Sequence, residues 1–190
     1  MTQQEIFEIF NKTGAILEGH FLLSSGLHSN RYFQMAKVLQ YPEIASILAR
    51  ELASKFVDKG INAVIGPAIG GIVLSYVLAE KLGVRSMFAE RENGRMQLRR
   101  GFVIEKNEIL LVCEDVITTG ASVSEVISVV KDFGGKVAGV CCLVQRGLHK
   151  LDVPVEYLLK VDVVNYTSDD CPMCKAGIPL LKPGSRRINI

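Results

Sequence analysis

Short apolar runs alternate with amphipathic stretches along most of the chain. Apolar residues at helical spacing, from Ile6 to Phe10, predict an opening helix over residues 3–13. A second stripe follows Pro42 and predicts a helix that ends before Gly60, since proline favours a first helical turn and glycine a helix end. Further helices are predicted over 72–82 and 121–133.

Between these helices lie short apolar runs that are typical of buried strands. They cover residues 63–65, 85–89, 110–113, 137–144 and 155–164. Strands that alternate with helices form right-handed crossover units, and such units build a mostly parallel sheet with helices on both faces. The sequence therefore predicts an α/β fold whose ligands sit at the carboxyl ends of the strands.

Composition narrows the function classes. The chain has 190 residues and a net charge of +2, which favours one domain over 1–190 and neither nucleic acid nor a membrane surface as partner. No apolar run reaches the length of about 18 residues that spans a bilayer, and residues 1–10 lack the pattern of a secretory signal. Five cysteines, three of them in apolar runs, favour a reducing, cytoplasmic setting.

One run joins a buried strand to two acids and a loop of small residues. Residues 110–113 precede Glu114 and Asp115, and residues 118–122 read Thr-Thr-Gly-Ala-Ser at a predicted helix start. The N–H groups and dipole of such a helix start hold a phosphate, and the carboxylates can accept hydrogen bonds from ribose hydroxyls. The run predicts a ribose 5-phosphate site; the alternative is an ordinary helix cap after two solvated acids.

This run resembles the ribose-phosphate signature of the type I phosphoribosyltransferases, which use phosphoribosyl pyrophosphate (PRPP). Most of the chain is similar to the orotate-using members, chiefly through residues 19–34, which in those enzymes form a hood over the pyrimidine. The resemblance implies a type I phosphoribosyltransferase-like fold with hood segments at about 1–40 and 165–190. It also implies phosphoribosyl transfer from PRPP to orotate, giving orotidine 5′-phosphate and pyrophosphate in pyrimidine biosynthesis.

The resemblance also assigns site residues. Those implied to bind PRPP lie in the run above and in a glycine-rich loop at 66–71, in which the family often has a non-proline cis bond: Glu114, Asp115, Val116, Ile117, Thr118, Thr119, Gly120, Ala121, Ser122, Ile69, Gly70 and Gly71. Those implied to contact orotate are Thr118, Arg146, Tyr32 and Phe33. A planar guanidinium such as that of Arg146 matches a carboxylate with two hydrogen bonds. Read without the family, Arg146 is a surface arginine and the aromatic pair belongs to an amphipathic strand.

A basic stretch at 90–101 stands where the family has its mobile catalytic loop. Its arginines suit the neutralisation of a departing pyrophosphate, and the implied catalytic residues are Arg91, Arg95, Arg99 and Arg100. The alternative is a solvated basic hairpin. The resemblance further implies Mg²⁺, held mainly by substrate and water, and a homodimer in which this loop reaches the partner's site.

The chain departs from the family at several positions. Ser24 and Gly70 stand where many relatives have lysine, and the basic stretch has no histidine, so Lys37 is a candidate for the missing ammonium. Two other functions stay open: a transferase for a purine or another pyrimidine, and a non-catalytic PRPP-binding regulator.

The pair Cys171 and Cys174 supplies half of a four-ligand zinc site. With no second pair or histidine nearby in the sequence, no metal is assigned to it.

Overall fold

A computed structural model describes residues 1–23, 25–148 and 150–183. Its helices are α1 (Gln3–Lys12), α2 (Ala36–Leu39), α3 (Pro42–Ala53), α4 (Gly70–Leu82), α5 (Ala121–Asp132) and α6 (Pro172–Lys175). Its strands are β1 (Ile16–Leu22), β2 (His28–Phe33), β3 (Ala63–Pro67), β4 (Arg85–Glu92), β5 (Arg95–Leu98), β6 (Ile109–Ile117), β7 (Lys136–Arg146), β8 (Val155–Val161) and β9 (Asn165–Tyr166). A 3₁₀ turn, Ser54–Lys59, extends α3.

Helix ends follow the local signals in the sequence. Thr2 caps α1 in a capping box with Glu5, whose backbone N–H donates to Thr2 Oγ1 at 3.2 Å. Pro42 opens α3, and Gly83 ends α4 in the left-handed conformation with φ of 69°. The predicted helices are therefore present, each within a few residues of its expected bounds.

The main sheet has six strands in the order β5-β4-β3-β6-β7-β8. Its strand pairs are parallel except for β4 with β5. One apolar cluster packs α1, α3 and α4 on one face, with Phe10, Leu48 and Leu74 fully buried. A second cluster packs α5 on the other face through Val126 and Val130. The predicted α/β architecture, a mostly parallel sheet flanked by helices, is confirmed.

A smaller sheet has the strand order β1-β2-β9, and none of these three strands pairs with a strand of the main sheet. It is formed by chain segments from both ends of the sequence, and the isolated bridge between Phe21 and Leu181 adds the C-terminal segment to its edge. Two backbone hydrogen bonds reinforce that edge, from Leu22 N–H to Leu181 and from Leu181 N–H to His20. Within the described residues, no helix is long and apolar enough to span a bilayer.

The prediction of a loop over 90–101 is wrong for residues 90–98, which form the end of β4, a turn and β5. β4 continues to Glu92 and pairs with β5 as an antiparallel hairpin. Asn93 and Gly94 form its two-residue turn with φ of 51° and 79°. Two positive φ values in sequence make a turn whose twist matches that of the flanking strands, and Asn-Gly is the sequence that favours it. The alternative of a solvated basic hairpin therefore describes the backbone correctly.

Candidate active site

A cavity of about 630 Å³ opens at the carboxyl ends of β3, β6 and β7, beneath the small sheet. The sequence-predicted residues that line it are Tyr32, Phe33, Ile69, Gly70, Arg91, Glu114, Asp115, Val116, Thr118, Ser122 and Arg146. An adjoining cavity of about 100 Å³ is lined by the rest of the 114–122 run, namely Ile117, Thr119, Gly120 and Ala121. Gly71, Arg95, Arg99 and Arg100 line neither cavity.

The two acids lie within a strand rather than in the loop after it. β6 runs on to Ile117, so Glu114 and Asp115 occupy its last half, and the turn before α5 is correspondingly short. Asp115 is half-buried, and desolvation raises the pKa of its carboxyl group although the Val116 N–H donates to its Oδ1 at 2.8 Å. A carboxylate held in this way is oriented by backbone and directed at the cavity.

The helix start after these acids has the geometry of an anion site. Gly120 adopts the left-handed conformation with φ of 80°, which turns the chain from β6 into α5. The N-cap residue Gly120 has no side chain to cap the first turn of α5, and the Ala121 N–H donates a hydrogen bond of 3.4 Å to Thr119 Oγ1. The first N–H groups of the helix and its dipole therefore face the smaller cavity together with side-chain hydroxyls.

The glycine-rich loop at 66–71 packs directly against the acids. A Cβ atom on Gly70 would lie 2.8 Å from both Oδ atoms of Asp115, and one on Gly66 would lie 2.7 Å from the Gly71 carbonyl oxygen. The Ala68–Ile69 peptide bond is cis, as the family resemblance implies. The space that a side chain at position 70 would occupy is taken by the Asp115 carboxylate.

Arg146 lies at the end of β7 with only 3% of its surface exposed. Its Nη2 donates hydrogen bonds to Ser29 Oγ on β2 and, at 2.7 Å, to Asn165 Oδ1 on β9. Its Nε is buried and has no partner among the described residues. Burial lowers the pKa of Arg146 to about 10, which leaves the side chain positively charged at neutral pH. The alternative of a surface arginine is therefore wrong.

The phenol of Tyr32 interacts electrostatically with the charged groups at both ends of the cavity, Asp115 and Arg146. Burial raises the pKa of its phenol, the charge of Asp115 raises it further, and the charge of Arg146 opposes both. A flat ligand beside Tyr32 and Phe33 would therefore have an arginine at one end and the acid pair at the other. This is the arrangement that a pyrimidine carboxylate next to a ribose requires.

Three of the four candidate arginines form ion pairs with acids of the fold. Arg91 lines the large cavity and forms a two-pronged ion pair with Glu125 of α5, both nitrogens lying 2.6 Å from a carboxylate oxygen. Arg99 pairs with Glu92 at 2.9 Å. Arg100 Nε donates to Glu90 Oε1 at 2.7 Å, and this hydrogen bond lowers the pKa of Glu90.

Three polar lining residues, Gln34, Gln40 and Lys182, are not among the predicted site residues. Lys182 comes from the C-terminal segment that runs along β1. The sequence around Lys182 does not predict where this side chain lies, because only the pairing of Leu181 with β1 brings Lys182 to the cavity. Lys37, the candidate ammonium, does not line it; its Nζ lies 3.7 Å from where a Cβ atom on Gly14 would be. Ser24 lies outside the described residues, as do 184–190 of the expected hood segment.

The expectation that no histidine stands near Cys171 and Cys174 is wrong in three dimensions. His20 and His28 lie beside the pair, because β1 and β2 fold back onto the segment that contains α6. Their sequence separation of roughly 150 residues hides this grouping from any local pattern.

Comparison with known proteins places this geometry in a family. Residues 36–171 match the phosphoribosyl transferase domain family. The orotate phosphoribosyltransferase of Pelotomaculum thermopropionicum is 60% identical over 99% of this chain and 100% of its own length. That of Thermotoga maritima is 51% identical over 95% and 98%.

Solved structures give the same result for the fold. A crystal structure of the orotate phosphoribosyltransferase from Aeropyrum pernix is 27% identical, with a TM-score of 0.68 over 81% of this chain and 92% of that one. An adenine phosphoribosyltransferase from Thermoanaerobacter pseudethanolicus has a TM-score of 0.66 at 16% identity, so it supports the fold alone. Because named relatives are 51% and 60% identical to it over 95% or more of its length, the chain belongs to the orotate phosphoribosyltransferase family.

Proposed function

We propose that the chain transfers the 5-phosphoribosyl group of PRPP to orotate, giving orotidine 5′-phosphate and pyrophosphate, as a step of pyrimidine biosynthesis. One observation carries the proposal: a single cavity is lined by the acid pair Glu114–Asp115 and by the buried guanidinium of Arg146. The acids suit a ribose, and the guanidinium suits a carboxylate on the base. The full-length relatives named as orotate phosphoribosyltransferases support the same activity.

The ribose phosphate is assigned to the carboxyl end of β6. Glu114 and Asp115 accept hydrogen bonds from the 2′- and 3′-hydroxyls, while residues 118–122 and the N-terminus of α5 hold the 5′-phosphate. The anion is placed there because backbone N–H groups and the helix dipole favour negative charge. The loop with Ile69, Gly70 and Gly71 begins α4 and holds the pyrophosphate by the same means.

Orotate is assigned to the opposite wall. Arg146 binds its carboxylate, and the unpartnered Nε supports this role because it offers a donor in a buried place. Tyr32 and Phe33 cover the ring, and Thr118 contacts it from the phosphate side. This arrangement directs N1 of the base toward C1′ of the ribose.

In the reaction the bond from C1′ to the pyrophosphate oxygen breaks, a bond from N1 of orotate to C1′ forms, and the N1 proton passes to the departing pyrophosphate. The electron pair of the broken bond leaves with pyrophosphate, and positive charge develops on the ribose ring. The protein acts by positioning and by charge stabilisation, without a covalent intermediate. Arginines Arg91, Arg95, Arg99 and Arg100 are proposed to neutralise the leaving pyrophosphate, and Lys182 contributes the ammonium that the loop positions lack.

Magnesium is the proposed cofactor. Mg²⁺ prefers oxygen donors and keeps much of its water, and the Glu114 and Asp115 carboxylates in this cavity are donors of that kind. When bound, it neutralises charge on the pyrophosphate. The two carboxylates orient the ribose and keep water out of the space between it and β6.

The chain is also proposed to form a homodimer. Arg95 lies next to the exposed hairpin turn and forms no ion pair within the described residues, so it can reach a second subunit. The chain is proposed to act in the cytoplasm as one domain, with a hood from its two ends and with neither nucleic acid nor membrane as partner. The modest net charge supports the last point.

The test is a spectrophotometric screen of orotate, uracil, hypoxanthine, xanthine and adenine, each with PRPP and Mg²⁺. Consumption of orotate alone is the expected result. Turnover of adenine or another base instead would assign the chain to a different phosphoribosyltransferase. Binding of PRPP without turnover of any base would make it a PRPP-binding regulator.

A further inference from the structure

Four side chains with metal-binding atoms meet at one end of the small sheet. His20 lies on β1, His28 on β2, Cys171 just before α6 and Cys174 within it. Their four ligand atoms all lie within 4.8 Å of one another. The cavity described above does not include any of the four, so this cluster is distinct from the proposed active site.

Four of the six separations between these atoms are close to the edges of a tetrahedron around one small ion. Cys174 Sγ lies 3.3 Å from His28 Nδ1 and 3.6 Å from His20 Nε2, and Cys171 Sγ lies 3.4 Å from His20 Nε2. Zinc bonds of about 2.0–2.1 Å to nitrogen and about 2.3 Å to sulfur give tetrahedral edges of about 3.3–3.8 Å. The two nitrogens, 2.9 Å apart, need to separate only slightly.

A hydrogen bond to the backbone orients His20 as a metal ligand. His20 Nδ1 lies 2.8 Å from the carbonyl oxygen of Ile178, which can only accept, so Nδ1 carries the proton. The Nε2 lone pair is then free for a metal. A second-shell hydrogen bond of this type, which fixes tautomer and ring orientation, accompanies most metal-bound histidines.

Burial and charge favour zinc over a set of free polar groups. Cys171, His20 and His28 are 0%, 2% and 5% exposed. Two thiolates and two neutral imidazoles balance the charge of Zn²⁺, so the occupied cluster is neutral, with three of its residues buried and Cys174 exposed at its edge. All five cysteines are free, which leaves both thiols available.

We propose that His20, His28, Cys171 and Cys174 form a structural Zn²⁺ site that fastens the C-terminal segment to the small sheet. Four protein ligands fill a tetrahedral shell and leave no position for substrate, so the metal acts on structure. Its effect reaches the active site through the backbone: Ser29, the neighbour of His28, accepts a hydrogen bond from Arg146. The zinc ligands are the same whichever base the protein uses, so the zinc site does not depend on the proposed function.

The test begins with untagged full-length protein purified without chelators. Elemental analysis should give about one zinc ion per chain, and X-ray absorption should show two sulfur and two nitrogen neighbours. Zinc-free protein of native fold, zinc with a different ligand set, or a disulfide between Cys171 and Cys174 detected by mass would each overturn the proposal.

Variants assign the ligands. Cys174→Ser should reduce bound zinc to near zero and lower the melting temperature, whereas Cys174→His should keep the metal because histidine is also a zinc ligand. Lys175→Ala, on the next residue of α6, is the matched control and should keep full zinc. Full zinc in Cys174→Ser would refute the site. If that variant does not fold, the absorption spectrum of the wild-type protein decides alone.

Discussion

Gly70 and Asp115 are so close that a Cβ atom on Gly70 would lie 2.8 Å from both carboxylate oxygens. This contact joins the proposed pyrophosphate loop to the proposed ribose site. It also accounts for the glycine at position 70, since no side chain fits there while Asp115 keeps its orientation.

Substitution Gly70→Ala should therefore displace the Asp115 carboxylate. We expect PRPP affinity to fall by about tenfold or more, since one lost hydrogen bond to a charged group is worth about 1.5–3 kcal/mol. Isothermal titration with PRPP and Mg²⁺ measures the loss, and thermal unfolding shows that the fold persists. Unchanged affinity in a folded variant would mean that Asp115 does not contact PRPP.

Asp115→Asn should raise the stability of the fold and weaken the binding of PRPP. Burial raises the pKa of Asp115 in the folded protein, so its ionised form destabilises the fold above the ordinary carboxyl pKa and not below it. The variant should thus melt higher than wild type at neutral pH, with an advantage that shrinks as the pH falls through the wild-type pKa, while PRPP affinity drops. Asp132→Asn, at the exposed end of α5, is the control and should change neither quantity. A melting point below wild type at neutral pH would contradict the assigned burial cost.

Arg146→Lys should reduce kcat/KM for orotate by about tenfold or more and leave PRPP binding intact, because an ammonium cannot replace a two-pronged guanidinium contact. Arg31→Lys is a suitable control, since Arg31 is on the same small sheet but pairs with Glu18 at the surface. Steady-state kinetics for orotate distinguish the two. Similar kinetics in both variants would remove Arg146 from the orotate site.

Alanine at Arg95, Arg99 or Arg100 should lower kcat more than it weakens PRPP binding. Surface ion pairs such as Arg99–Glu92 contribute about 0–1 kcal/mol to stability, so unfolding should change little. The comparison of kcat with PRPP affinity for each variant shows whether the hairpin acts in the transition state. Wild-type turnover in all three would leave the hairpin without a catalytic role.

Lys182→Ala should lower kcat/KM for PRPP several-fold, and Lys37→Ala should not. Lys182 is the lysine that lines the cavity within the described residues, whereas Lys37 lies near Gly14 and outside it. Charge near a phosphate or pyrophosphate raises affinity, and distance reduces the effect. The reverse order of effects would restore Lys37 as the ammonium donor.

Local sequence patterns predicted the parts of the fold that depend on local chemistry. The opening helix, the helix start at Pro42 and the central strand before Glu114 follow from apolar periodicity, proline geometry and an apolar run. The Asn93-Gly94 turn was also predictable, and the alternative of a solvated basic hairpin for residues 90–101 describes it.

Groupings that depend on long-range contacts were not readable in this way. The placement of Lys182 depends on the pairing of Leu181 with β1, and the cluster of His20 with Cys171 depends on folding of the two chain ends together. The tight approach of Gly70 to Asp115 likewise results from the packing of the start of α4 against the carboxyl end of β6. Such contacts have no periodicity or local spacing from which they can be predicted.

The central claim is that the acids on β6 and the turn before α5 together bind a phosphorylated ribose. A crystal structure with ribose 5-phosphate tests it most directly. We predict the sugar hydroxyls against Glu114 and Asp115 and the phosphate on the N–H groups at the start of α5. Density for the compound at another place, with these residues unliganded, would contradict the account.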